Sequence, residues 1–212
     1  MPLVSIVVPV YRDDEALSRL RAQLPPDSRV ELIVARPPPL GRGAQMNAGA
    51  ARATGRWLLF LHADSRLPPS WLETFARAAA DPAVIGGWFR FALDAHEWQA
   101  RVIERLVALR VRLWKLPYGD QGLFVRRDVF ERLGGYREWA LMEDVEFVRR
   151  LTRAGTTVQL PLALATSARK WKRDGWFRRS TRNLVLVSLY CLGVDPARLA
   201  RWYSVRTEGT EP

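Results

Sequence analysis

Residues 57–64, WLLFLHAD, constrain this 212-residue chain more than any other stretch. The apolar run is short for a globular helix and too continuous for a strand with one wet face, so it reads as a strand covered on both sides. Gly55-Arg56 before it and Arg66-Leu67-Pro68-Pro69 after it bound it with turns. Two runs of the same kind lie upstream, 3–9 (LVSIVVP) and 30–34 (VELIV). Between them Ala16, Leu17, Leu20 and Leu24 recur at helical spacing, with Asp13 or Asp14 available as a cap. Strand, helix and strand in this order predict a right-handed parallel unit in an open α/β sheet, with residues 57–64 central. Such a sheet delivers the residues at its C-terminal strand ends into the crevice where ligands bind. Asp64 is therefore a candidate for holding a hard divalent cation whose shell is completed by substrate phosphates. An Asp here equally suits the opening of a turn or the cap of the helix near Pro68.

Alternation continues downstream. After Arg36-Pro37-Pro38-Pro39, where no helix interior or central strand is possible, residues 44–54 (AQMNAGAARAT) predict a small-residue helix packed closely on the sheet through Gly49. Arg42, Gln45 and Asn47 at its start suit a phosphate or ribose, or are polar residues of a tightly packed helix. A helix over 70–80, a strand over 84–93 bent at Gly86-Gly87, and a long helix over 96–114 follow. That last helix has a broad apolar stripe and many arginines, which fits a core helix with a basic outside, or a membrane or partner contact. Gly119, Asp120 and Gln121 lie in a glycine-flanked loop before a strand over 123–125 and a short helix over 127–133. Glu143, Asp144 and Glu146 open another helix; acids there complement the helix dipole, and the Glu143-Asp144 pair also offers a general base. Two strands are expected over 156–160 and 163–168. Basic and aromatic residues interleave over 167–179, SARKWKRDGWFRR, before an apolar helix over 184–192 and a last short helix.

Charge bounds the partners. Lys and Arg number 33, of which 30 are Arg, against 22 acids, for a formal net charge of +11. Arginine's planar fork suits phosphate, so a nucleotide, a phospholipid head group or nucleic acid is the expected class of partner, with a plainly solvated basic surface as the alternative. The apolar run over 184–192 favours lipid over nucleic acid. One cysteine, Cys191, excludes an internal disulfide and suits a reducing, cytoplasmic compartment. No apolar leader precedes the first strand and no run reaches the ~20 residues of a membrane span. The expectation is one domain over 1–204, its C-terminal part (172–204) basic, aromatic and helical, with a flexible tail from 205 and at most a peripheral place on the inner membrane face.

Six segments in order, SIVVPVYRD, GRGAQMNAGA, LLFLHADSRLPP, YGDQGLFVRRDVFERLGGY, LMEDVEFVRRL and SARKW, resemble family 2 glycosyltransferases of the GT-A fold. The chain is most similar to the short bacterial subgroup associated with radical-SAM/selenium-domain proteins. The resemblance implies a single-domain, Rossmann-like α/β fold with a mostly parallel sheet flanked by helices. It implies an inverting, Mn2+- or Mg2+-dependent transfer of sugar from a nucleotide-diphosphate donor to a hydroxyl acceptor, of which a lipid-linked one is a candidate. His62-Ala63-Asp64 stands where the family has DXD, which gives Asp64 the metal and His62 a place at the donor. Pro9, Val10 and Tyr11 match the turn beside the nucleotide base, and Gln45 and Asn47 the segment near the nucleotide and diphosphate, with Arg42 assisting. Glu143-Asp144 match the ED motif, with Asp144 as catalytic base. Gly119, Asp120 and Gln121 match the loop beside sugar and acceptor, which Arg169 and Trp171 adjoin. Related chains carry an acidic DGGSxD-type segment after the second strand; Arg36-Pro37-Pro38-Pro39 replaces it, so donor recognition departs from theirs.

Overall fold

A computed structural model describes residues 1–11, 15–38 and 41–205. Its elements, in order, are β1 (Val4–Pro9), α1 (Glu15–Ala22), β2 (Val30–Ala35), α2 (Arg42–Ala51), β3 (Trp57–Phe60), α3 (Trp71–Ala80), β4 (Val84–Asp94) and α4 (Trp98–Trp114). They continue with β5 (Leu123–Arg126), α5 (Arg127–Arg132), α6 (Glu143–Ala154), β6 (Thr156–Ser167), α7 (Arg169–Asp174), α8 (Trp176–Cys191) and α9 (Pro196–Val205). The expected cap at Asp13 or Asp14 and nearly all of the expected flexible tail fall outside the described residues.

Six strands form one sheet in the order β2-β1-β3-β5-β4-β6. β1 runs parallel to β2 and β3, β4 runs parallel to β6, and β5 is antiparallel to both its neighbours. The continuous apolar runs are explained by what covers them. Ile6, Trp57, Leu59 and Leu61 face a core shared with Leu17, Leu20, Trp71 and Phe75 of α1 and α3. Val7, Leu58 and Phe60 alternate to the opposite face, against Met46 of α2 and Phe147, Val148 and Leu151 of α6. Each such side chain contributes roughly 1.5–3 kcal/mol by leaving water. Close approach is set by two glycines. A Cβ on Gly49 would lie 2.4 Å from Val7 Cγ1, so only glycine lets α2 rest on β1, and a Cβ on Gly87 would lie 2.0 Å from the Val158 carbonyl oxygen.

Four expectations need correction. The central strand stops at Phe60, and Asp64 sits four residues later in a turn closed by Ser65 N–H on the His62 carbonyl. The two strands expected over 156–168 are one, β6, running through Pro161. This is tolerated because β6 is an edge strand and Pro161 lies where its register against β4 shifts. Near its far end β6 exchanges two backbone hydrogen bonds with Arg66, an isolated bridge through Ala165. The basic-aromatic stretch is broken at Gly175, whose φ of 85° separates α7 from α8. Finally, the stripe of α4 splits. Ile103 and Val111 are buried, whereas Leu106, Leu109 and Leu113 are more than half exposed.

Candidate functional site

The loop after β3, the loop before β5 and the end of β6 open toward a cavity of about 200 Å³ whose lining includes His62, Asp64, Gly119, Asp120, Asp144, Lys170 and Trp171. Of the two acids that open α6, Asp144 lines it and Glu143 is buried beside it; the chain enters the helix through Met142 in the left-handed region, φ 72°. That conformation costs an L-residue roughly 1–2 kcal/mol, and it turns the first two helical residues inward. Glu143 and Asp144 are 2% and 8% exposed.

Arg42, from the start of α2, holds these acids. Its Nε donates to Glu143 Oε1 at 2.5 Å, Nη2 to Asp144 Oδ2 at 3.2 Å, and Nη1 lies 3.1 Å from His62 Nε2. Asp144 Oδ2 also accepts the Gly119 N–H at 2.7 Å, and Oδ1 accepts the Val145 N–H at 2.8 Å. Burial opposes the charge on Arg42, but Glu143 and Asp144 outweigh it and hold the guanidinium firmly protonated. Burial pushes Glu143 above the ordinary carboxylate value, with Arg42 pulling against it. His62 is driven down to about 3 by burial, then by Arg42 and Lys170, so its imidazole is neutral and its Nε2 lone pair accepts the Arg42 N–H. Asp120 is pushed up to about 6, first by burial, against the pull of Arg110, and its Oδ1 is buried without a hydrogen-bond partner.

Of the residues singled out in the sequence, His62, Asp64, Gly119, Asp120, Asp144, Arg42 and Trp171 share the cavity. Others do not reach it. Asn47 spends its amide on the backbone of Tyr136, donating to the carbonyl at 2.9 Å and accepting the N–H at 2.9 Å. Gln45 is fully buried, and Gln121 is fully buried with its amide fixed to the Phe89 carbonyl, the Tyr118 N–H and Arg110. The expected ligand contacts of Asn47 and Gln121 are thus replaced by structural hydrogen bonds, whereas the Gln45 amide is buried with no hydrogen-bond partner among the described residues. Arg169 points elsewhere, and the neighbouring Lys170 lines the cavity in its place. Tyr11 is exposed at the end of β1, next to buried Val10 and half-buried Pro9, outside the cavity lining. Arg179, Asn183, Leu186 and Val187 complete the wall from α8 and were missed. Their spacing over 179–187 puts them on one helical face, a signal masked by the apolar run around them.

Asp64 is half-buried, and no described residue hydrogen-bonds or pairs with its carboxylate. Among the described residues no three His, Cys, Asp or Glu side chains cluster as a metal site. One uncommitted carboxylate suits Mg2+ or Mn2+ only in the form in which substrate phosphates supply the remaining ligands.

The model of glycosyl transferase family 2 matches residues 28–134, just over half the chain. The chain belongs to glycosyl transferase family 2. Its architecture matches the GT-A glycosyltransferases among solved structures. The mannosyltransferase PcManGT from Pyrobaculum calidifontis, in complex with GDP-Man and Mn2+, superimposes with a TM-score of 0.64 at 18% identity, over 92% of this chain and 66% of that one. TarS 1-349 of S. aureus, in complex with UDP-GlcNAc, gives 0.60 at 14% identity, over 80% of this chain and 59% of that one. TarS 1-349 without that ligand gives 0.59 at 14% identity, over 94% and 68%. This family 2 chain therefore spans about three fifths of the TarS 1-349 chain in complex with UDP-GlcNAc and about two thirds of the other two. No curated protein matches the sequence.

Proposed function

We propose that this family 2 chain transfers a sugar from a nucleotide-diphosphate donor to a hydroxyl acceptor, with inversion at the anomeric carbon. The observation that carries the reading is the meeting of Asp64, Asp120, Asp144 and the cations Lys170 and Arg179 around one cavity at the sheet's C-terminal edge. Asp144 is the base. A carboxylate has about four lone-pair sites. Three are taken by Gly119, Val145 and Arg42, which fixes the group and leaves one for the acceptor O–H. As the acceptor oxygen bonds to the anomeric carbon, its proton passes to Asp144, the glycosidic C–O bond breaks, and the electron pair leaves with the diphosphate. Lys170 and Arg179 face that developing charge from the α7–α8 wall. Asp64 would hold a divalent ion, Mn2+ or Mg2+, which supplies further positive charge against the leaving group. Glu143 holds Arg42, and Asp120 orients the sugar or acceptor. The base of the nucleotide lies toward Pro9, Val10 and Tyr11.

The bacterial radical-SAM/selenium-associated subgroup and a cytoplasmic place belong to the same reading, as does a lipid-linked acceptor. A second reading, a GT-A-like nucleotide binder without transfer, is favoured by one observation: Arg42 already occupies both acids. Calorimetry with UDP, GDP and dTDP, with and without Mn2+, combined with donor turnover, separates the two. The transferase reading expects metal-dependent binding that Asp64→Ala removes, and an Asp144→Asn variant that binds donor normally but has lost transfer by ~10²–10⁴-fold. Full turnover in Asp144→Asn, or no nucleotide binding by the intact chain, would overturn it.

A further inference from the structure

The helices α4 and α8 pack side by side and together carry an exposed apolar ridge. On α4, Trp98, Leu106, Leu109 and Leu113 follow helical spacing and are 64%, 56%, 51% and 58% exposed. On α8, Phe177, Leu184 and Val185 are 45%, 52% and 49% exposed. Trp98 and Phe177 join the two stripes, their ring centroids 5.9 Å apart. The same helix α8 lines the cavity with Arg179, Asn183, Leu186 and Val187, which the 3.6-residue repeat sets on the face opposite Phe177, Leu184 and Val185. Scattered single apolar residues are normal on a surface, but a contiguous ridge on two adjacent helices marks a contact site.

Charge selects the occupant. Arg105, Arg112, Lys115 and Arg178 are exposed around this ridge, and none of them has a hydrogen-bond or ion-pair partner for its side chain among the described residues. The acids nearest on α4 and at its start are already engaged, Glu104 with Arg101 at 2.9 Å and Glu97 with Lys172 at 2.6 Å. A second copy of the chain docking ridge to ridge would face these free cations with its own. A bilayer bearing anionic head groups meets apolar side chains with acyl chains and cations with phosphates, which is the chemistry of an interfacial helix. Among the described residues no helix is long and apolar enough to cross a membrane, so the contact is one of lying on the surface.

We infer that the α4–α8 ridge docks on an anionic bilayer surface, with the cavity on the other side of α8. The inference goes beyond the transferase reading and stands or falls without it, because its readout is partitioning rather than turnover. The test is flotation of the full chain with vesicles of phosphatidylcholine alone and with about one third phosphatidylglycerol, at low and high salt. Binding is expected only to the anionic vesicles, weakening with salt. Arg105→Gln with Arg112→Gln should lower the partition coefficient by on the order of thirtyfold, at roughly fivefold per lost cation near the surface. Leu109→Glu with Leu113→Glu should reduce binding at least as much while leaving UDP and GDP binding at the cavity unchanged. Both pairs are exposed, so the folded state should tolerate them, and circular dichroism checks that it does. No binding to anionic vesicles would overturn the inference. So would binding that the leucine variants leave intact, which would reduce it to unspecific charge. Sedimentation showing a dimer that Leu109→Glu dissolves would assign the ridge to a second copy and equally overturn it.

Discussion

Replacing Arg42 with Met removes the charge that holds two buried acids while keeping most of the side chain's length. Glu143 and Asp144 lose their shared counter-ion at 2% and 8% exposure. Removing one member of a buried ion pair costs ~3–5 kcal/mol, and because the Arg42 side chain is 34% exposed the low end, about 3 kcal/mol, applies. For a chain of this size that is a drop in Tm of about 10 °C. The pH dependence has a fixed sign. Burial raises Glu143 above its ordinary 4.5, so the folded state binds the proton more tightly than the unfolded chain. Its ionisation therefore costs stability above the folded pKa, and the cost disappears below the unfolded one. Arg42 offsets that cost in the native protein, and the variant has no such offset. The deficit should be largest at pH 7.5 and shrink toward pH 5, measured by urea unfolding at both. Arg42→Met combined with Glu143→Gln should recover most of the loss. An equal deficit at both pH values, or no recovery in the double variant, would refute the clamp.

Asp120→Asn should stabilise the fold at pH 7.5 by about 1 kcal/mol, with the gain shrinking as the pH falls below about 6 and gone below the ordinary 3.8, because the cost of ionising Asp120 builds up between those two values; a thermal melt series showing the reverse trend would exclude it. Asn47→Ala should cost about 2–3 kcal/mol by stranding the Tyr136 N–H and carbonyl, with donor affinity unchanged in calorimetry. Gly87→Ala should cost about 3 kcal/mol or abolish soluble expression, since its Cβ meets the Val158 carbonyl at 2.0 Å and Phe124 Cζ at 2.6 Å; a melt matching the parent would contradict the close approach of β4 to β6.

The strands were legible because periodicity reports burial directly: a run such as LVSIVVP has no polar face and can only sit between two layers. Asp64, Asp120 and Asp144 were legible as site candidates because each follows a structural boundary in a loop or at a helix start. Arg42 was legible as a candidate near the cavity but not for the contacts it makes. Spacing along the chain places it near a phosphate, whereas its partners are about a hundred residues away and only the folded chain brings Glu143 to it. Asn47 illustrates the reverse error, since a polar residue on a small-residue helix was read toward a ligand when it serves a distant backbone. The exposed half of α4 was hidden for another reason. Leu106 and Val111 look alike in a hydropathy pattern, and only the position of the sheet decides which of them is covered.

Pro161 and the Arg66 bridge have a consequence for how copies of this protein behave at high concentration. A sheet's outermost strand ordinarily offers a row of free donors and acceptors onto which another chain can zip. On β6 that row is interrupted twice, by a residue that has no N–H to give and by a neighbouring loop that has already taken the Ala165 pair. A stranger arriving at this margin finds only short, separated footholds, so growth of the sheet from molecule to molecule stops at its last strand.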